Sequence, residues 1–199
     1  EAMKRDLNDF SPIEEKKFDS IGPVIGQELQ KKSVKAIIYV LVLIVIYIAW
    51  AFRKVSRPVS SWKYGVVAIF ALAHDVIIPV GVFSALGHFY GIEVDAYFIT
   101  ALLTILGFSV HDTIVVFDRI RENLRRRPSE KFTDTINSSV NETLARSFNT
   151  SLTVLLVLLA SYFLGGASTK NLSLALLIGV FFGTYSSIFV ASPILDIWA

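Results

Sequence analysis

The stretch Ile99–Arg127, ITALLTILGFSVHDTIVVFDRIRENLRRR, decides how the rest of the chain is read. It opens as an apolar helix of membrane length and carries the pair His111-Asp112 inside the apolar run. It closes in a dense group of cations, Arg119, Arg121, Arg125, Arg126 and Arg127. An ionisable side chain within a membrane span is costly to bury and marks function by default. Arginines clustered at the end of a span mark its cytoplasmic side. One segment therefore supplies an environment, an orientation and a candidate active group.

Composition points the same way. Of 199 residues, 53% are hydrophobic and the mean hydropathy is +0.57, too apolar for an ordinary soluble domain. A net charge of only +2 gives no reason to expect a nucleic-acid partner. The absence of cysteine excludes disulfides, thiol catalysis and Cys-based zinc sites, and three histidines leave little room for any metal. No phosphate loop, nucleophile triad or metal spacing is visible. The chain lacks an initiator Met and stops abruptly at Trp198-Ala199, which suggests a fragment of a longer protein.

Outward from the central stretch, span three is expected over about 96–117. Asp112 lies near its cytoplasmic end, and Asp118–Arg127 continues as a polar helix until Pro128 breaks it. On the N-terminal side, a short loop over 87–95 carries Glu93 and Asp95 and no Lys or Arg. Span two, about 62–86, holds His74-Asp75 near its middle; Pro79 cannot donate to the carbonyl of Asp75, which predicts a kink with a free acceptor beside the acid. Span one covers about 34–52 and is followed by Arg53, Lys54, Arg57 and Pro58. Residues 1–33 read as the end of a soluble domain and a linker, with Ile21–Gly26 interrupting regular structure and Gln27–Lys35 forming a polar approach helix.

On the C-terminal side, Glu130–Ser147 is amphipathic, with Phe132, Ile136, Val140, Leu144 and Phe148 at i, i+4 spacing. A separate helix on the membrane surface or under the bundle is expected there. Span four covers about 148–164 and ends at Gly165-Gly166, before a short loop with Lys170. Span five covers about 172–195, where Gly179, Gly183, Ser187 and Ala191 recur every four residues as a ridge for close helix packing. The fold class is thus an all-α integral membrane protein with five transmembrane helices and a cytoplasmic-side amphipathic helix; residues 34–199 form the transmembrane domain.

Orientation follows from loop charge. The loops assigned inside hold eleven basic residues with their flanks, and the two short outside loops hold only Lys170. Short loops carry the positive-inside rule and translocated domains escape it. This places residues 1–33 outside and the C-terminus in the cytoplasm.

Asp75 and Asp112 share a pattern, each following a His and preceding apolar residues within a span. A hydrocarbon environment disfavours the ionised carboxylate, which suits a group that loads and releases protons. Arg146, at the start of span four, is expected at the depth of Asp112. Pairing with an always-charged guanidinium would favour the carboxylate again. An acid alternating between these states is a proton switch. The structural alternative is a hydrogen-bonding acid at a helix contact, and for Asp75 a kink-stabilising bond serves nearly as well. His74 and His111, about 100° round the helix from each acid, read as modulators at helix contacts. The arginine cluster reads as a topology signal and a contact for lipid headgroups.

Three runs carry a family resemblance: Ala73-His-Asp-Val76, Leu106–Asn123 with its Asp118-Arg119-Ile-Arg121-Glu122-Asn123 motif, and Ile178–Ile188. With Ile21–Leu29 they resemble the SecF family of protein-export membrane subunits, over nearly the whole chain. The resemblance implies one half of a resistance-nodulation-division (RND) type assembly, a six-helix bundle of which the five spans would be the second to sixth, with residues 1–33 the end of a periplasmic domain and a linker. It implies a multi-pass protein of a bacterial or archaeal cytoplasmic membrane, partnered by SecD and acting with the SecYEG channel, SecA and preprotein. Protons would be the coupling ion, no other cofactor would be needed, and the subunit itself would be no enzyme. By the same resemblance Asp112, Arg146 and Asp75 would be the proton-relay residues, with His111 standing where the family commonly has Asn. Two other readings stay open. A scaffold would brace SecD and the channel without carrying protons. A small-molecule exporter of the same superfamily would need large outside loops, whereas those here have about ten residues.

Overall fold

A computed structural model of the chain describes residues 23–51 and 60–198. The readings placed on residues 1–22 and on the basic loop with Arg53, Lys54, Arg57 and Pro58 fall outside the described residues. The described chain is helical, with α1 over Pro23–Ala51, α2 over Ser61–Tyr90, α3 over Ala96–Arg126, α4 over Phe132–Leu164 and α5 over Ala167–Ser186. A π-helical segment, Ser187–Ala191, joins α5 to the short α6, Ser192–Ile197. Among the described residues, four helical stretches are long and apolar enough to cross a membrane: Trp62–Tyr90, Ala96–Arg126, Phe132–Leu164 and Thr169–Ile197. The expected first span is helical over its described length as part of α1. Contacts divide the chain into two compact units, 1–34 and 35–199, and all packing described below lies within the second.

Several boundaries differ from the sequence expectation, each for a local reason. The break expected across Ile21–Gly26 does not extend that far, because α1 already begins at Pro23; proline is well suited to the first helical position. Helix α2 runs a full turn beyond Leu86, since nothing stops it until Gly91 caps it in the left-handed conformation at φ 67°. Asp95 opens α3 by accepting from the Phe98 N–H at 3.0 Å, so one loop acid is a helix cap. At the other end of α3, Pro128 disfavours helical geometry at Arg127, and the helix stops at Arg126. Helix α5 starts at Ala167, so Lys170 lies in its first turn rather than in a loop, with its ammonium 5.2 Å from the ring centre of Tyr162.

The largest correction concerns 130–147. It is no separate surface helix but the first half of α4, which continues through Arg146 into span four for 33 residues. No Gly or Pro interrupts the sequence between Lys131 and Gly165, so nothing ends the helix at the membrane boundary. Nor is the apolar row its main packing face. Ile136 is buried, but Leu144 and Phe148 are exposed. The buried row is Thr135, Ser139, Thr143, Ser147 and Ser151, four apart throughout. Small side chains let helix backbones approach, and Ser139 and Thr143 donate to the carbonyls four residues earlier at 2.6 and 2.9 Å.

Helix α5 is central, packing against α2, α3 and α4. Its ridge fits α3 closely. A Cβ on Gly179 would lie 2.2 Å from Ile105 Cδ1, and one on Gly183 would lie 3.3 Å from Ser109 Cβ. Ser187 and Ala191 continue the ridge and are buried. Two apolar clusters form along the bundle. Tyr64, Val67, Ala71, Phe117, Ile120, Ile136 and Leu195, with Ile48 of α1, pack near the basic end of α3. Phe83, Phe98, Leu102, Ile105 and Ala175 pack near the other end. Between them in the sequence of each helix lie the buried polar residues Asp75, Ser109, Asp112 and Ser186. The candidate site is therefore a polar layer between two apolar ones.

Candidate functional site at the buried acids

Asp75 is fully buried on α2 and draws on three helices. Its Oδ2 accepts from Ser109 Oγ of α3 and from Ser186 Oγ of α5, the latter at 2.7 Å. Its Oδ1 lies 2.9 Å from Nδ1 of the adjacent His74. Hydrogen bonds to a buried acid offset the cost of removing it from water, and here both oxygens are engaged. Gly183 makes room for this, since a Cβ there would lie 3.7 Å from Asp75 Oδ2. Pro79 follows one turn later, buried inside a helix that continues past it.

Asp112 is also buried, on α3, but is held by fewer groups. Thr184 Oγ1 donates to its Oδ2 at 3.3 Å, and Thr184 in turn lies 2.5 Å from Ser151 Oγ of α4. Nδ1 of the exposed His111 is 3.8 Å from Oδ1, an electrostatic contact beyond hydrogen-bond range. The hydroxyl of the neighbouring Thr113 and that of Ser147 are buried without a hydrogen-bond partner among the described residues.

The structure does not bring Arg146 to Asp112. Arg146 is exposed and, among the described residues, makes no ion pair. It lines an open groove of about 490 Å³ with Tyr47, Ala51, Ile114, Val115 and Thr143, and with Asp118, Arg119, Arg121 and Glu122 of α3. The buried row of α4 explains this. Ser147 occupies the packed face, and Arg146 precedes it by one residue, about 100° round the helix.

The motif after Asp112 ties α3 to α4. Arg119 bonds both Glu142, across the hairpin, and Glu122, at 2.6 Å on its own helix. Asn123, which is buried, donates to Ser139 Oγ and to Glu142 Oε2, each at 3.0 Å. Arg126 pairs with Glu122 at 2.6 Å, and Arg121 reaches Asp118 at 3.6 Å and the Ala51 carbonyl at 3.2 Å. This polar extension lies beyond the apolar part of the span. The Asn123 amide and the Arg119 guanidinium hold the Glu142 carboxyl below its ordinary range, and Arg119 is held more firmly charged by Glu142 and Glu122.

Sequence reasoning thus named both acids and the motif but missed Ser109, Ser186, Thr184 and Ser151, which position the acids. Their only signal was hydroxyls inside apolar spans, notably Thr184-Tyr-Ser-Ser187.

Comparison with known proteins identifies the class of molecule. The family described as protein export membrane protein SecD/SecF, C-terminal, matches residues 2–199. The protein translocase subunit SecF of Thermobaculum terrenum is 54% identical over 95% of this chain and 59% of the relative. The protein translocase subunit SecDF of Thermus thermophilus is 43% identical over 90% of this chain and 23% of the relative. A crystal structure of SecDF in its super-membrane-facing form superposes with a TM-score of 0.76 at 41% identity, covering 90% of this chain and 22% of that one. The chain therefore spans about three-fifths of the SecF relative. The match over residues 2–199 and these identities agree with the helical fold: the chain belongs to the SecD/SecF family of protein-export membrane proteins.

Proposed function

We propose that this chain is the membrane portion of a SecF subunit that works with SecD to assist preprotein export, using the proton gradient. A role in protein translocation follows from the family itself. SecD as partner is supported by the relative and the solved structure in which the two are named together as SecDF. The finer reading assigns the subunit to the cytoplasmic membrane beside the SecYEG channel, acting after SecA. Residues 1–33 lie outside, the C-terminus lies inside, and protons serve as the only coupling ion. The subunit itself carries out no enzymatic step.

The observation that carries the proton reading is Asp112. It is buried in an apolar helix bundle, its hydroxyl donor sits at 3.3 Å, and among the described residues no Lys or Arg is paired with it. A carboxyl so placed is poised to take up or lose a proton when its surroundings change. In the proposed cycle, protonation of Asp112 alternates with its pairing to Arg146, and the change in helix packing moves the outer domain. The test is gradient-driven completion of preprotein export in membrane vesicles carrying the full-length protein and SecD. Asp112→Asn should abolish the stimulation with assembly intact, and Arg146→Ala should do the same. Full stimulation by an assembled Asp112→Asn complex would leave the scaffold reading instead. That reading draws its support from the separation of Arg146 from Asp112.

A further inference from the structure

Thr184 and Ser186 sit two residues apart on α5, on the turn that enters the π-helical segment, and each touches a different buried acid. Ser186 Oγ donates to Asp75 Oδ2 at 2.7 Å, and Thr184 Oγ1 donates to Asp112 Oδ2 at 3.3 Å. Each hydroxyl also has a second acceptor on its own helix. The Gly183 carbonyl lies 3.1 Å from Ser186 Oγ, and the Val180 carbonyl lies 3.0 Å from Thr184 Oγ1. A hydroxyl has one proton to donate; with Ser151 Oγ donating to Thr184 Oγ1 across 2.5 Å, each is divided between a carboxylate and its own backbone.

The backbone at this point is equally committed. The Gly183 carbonyl already accepts the Ser187 N–H, Ser187 Oγ donates to the Thr184 carbonyl at 3.0 Å, and Ser192 Oγ donates to the Ser187 carbonyl at 3.1 Å. Hydroxyls that bond back to their own helix bend it, and π-helical turns are places where a helix changes pitch. Charged routes between the two acids are lacking among the described contacts. Asp75 faces His74 from its own helix, and only the hydroxyls of Ser109 and Ser186 from α3 and α5. Asp112 faces His111 from its own helix, Thr184 from α5 and Ser151 from α4, whose hydroxyl also lies 2.5 Å from Thr184 Oγ1.

We infer that the Thr184–Ser186 turn links the two carboxylates, so that the protonation state of Asp75 sets how Thr184 holds Asp112. A proton on Asp75 weakens the carboxyl oxygen as an acceptor, and Ser186 turns its hydrogen to the Gly183 carbonyl. That bond tightens the turn that contains Thr184 and shifts its division between Asp112 and Val180. Ser186 and Thr184 are positioning residues here; they carry no proton onward. The biological use of this link rests on the proton reading of Asp112, but its chemistry does not.

The experiment follows the protonated-carboxyl infrared band of Asp112 against pH. It uses the full-length protein with SecD in lipid nanodiscs, and the band is assigned by its loss in Asp112→Asn. Asp75→Asn should move the Asp112 midpoint by about half a pH unit or more, the size expected of residues sharing one network. In a Ser186→Ala background the same Asp75→Asn change should move it by less than half as much, and Ser186→Thr, which keeps the hydroxyl, should restore the full shift. Thr184→Val offers a second way to cut the link and should have the effect of Ser186→Ala. An unmoved midpoint in Asp75→Asn overturns the inference. So does a shift of equal size in the Ser186→Ala and Thr184→Val backgrounds, which would mean action through space alone. Absence of any Asp112 midpoint in the stable pH range overturns it as well. Export assayed in parallel separates the two ideas: an intact link with proton-independent export would refute the proton reading only.

Discussion

Replacing Gly179 by Ala tests how closely α5 lies against α3. A Cβ at this position would lie 2.2 Å from both Cδ1 and Cγ1 of Ile105 and 2.8 Å from its Cγ2, so the whole side chain is in the way. Ile105 is fully buried within a cluster that includes Phe83, Phe98 and Leu102, so it can yield only by displacing other buried side chains. Overpacking of this kind costs about 1–3 kcal/mol, and the upper half applies where no single atom can yield. The gain in helix propensity from Gly to Ala returns about 1 kcal/mol. The net expectation is a loss of about 1–2 kcal/mol, read as a lower denaturation midpoint of the full-length protein in detergent. Two neighbours calibrate the measurement. Gly183→Ala is tight only against Ser109 Cβ at 3.3 Å, with Ser109 Cα at 3.6 Å and Asp75 Oδ2 at 3.7 Å in ordinary contact, and should lose less, whereas Gly107→Ala meets nothing within 4 Å and should be neutral or slightly stabilising. Ile105→Ala removes the obstacle, so the double variant should be more stable than the sum of the single losses by about 1–3 kcal/mol. Gly179→Ala as stable as Gly107→Ala would refute the close approach.

Two further predictions concern polar groups. Because Asn123 and Arg119 hold the Glu142 carboxyl below its ordinary range, its contribution is present above the unfolded-state value of about 4.3 and is lost as pH falls through the lower folded-state value. Acid should therefore loosen the α3–α4 polar extension at low pH, seen as faster hydrogen exchange there, and Glu142→Gln should flatten that pH dependence. Thr113 and Ser147 bury hydroxyls with no partner, so Thr113→Val and Ser147→Ala should be neutral or stabilising in the same denaturation assay. By contrast, Ser139 donates to the Thr135 carbonyl and accepts from Asn123, and Ser139→Ala should lose about 1 kcal/mol.

The helical membrane fold was legible because apolar runs of membrane length have few other uses, and both acids stood out because charge is rare within them. Their surroundings were not legible. The partners of Asp75 come from positions 34 and 111 residues further along the chain. The face of α4 was misread for a definite reason. In water, an apolar row at i, i+4 marks the buried side of a helix; in a membrane, apolar side chains also face lipid, and small hydroxyl residues mark the contact. Once Ser147 rather than Phe148 is taken as the inward residue, Arg146 turns away from Asp112. The π-helical segment has no signature in Ser187–Ala191 that distinguishes it from an ordinary apolar turn.

The uninterrupted helix Phe132–Leu164 has a mechanical consequence. Its 33 residues make a rod about 50 Å long, with the glutamate and serines that bind the arginine motif on one half and the apolar span on the other. Such a rod has no hinge at the membrane boundary, so a tilt imposed at either end becomes a displacement at the other. A rotation of about 5° sweeps the far end by about 4 Å, comparable to the spacing of neighbouring residues along a chain. A force on the charged half is thereby delivered to the buried row beside Asp112 as leverage, without any local unfolding between them.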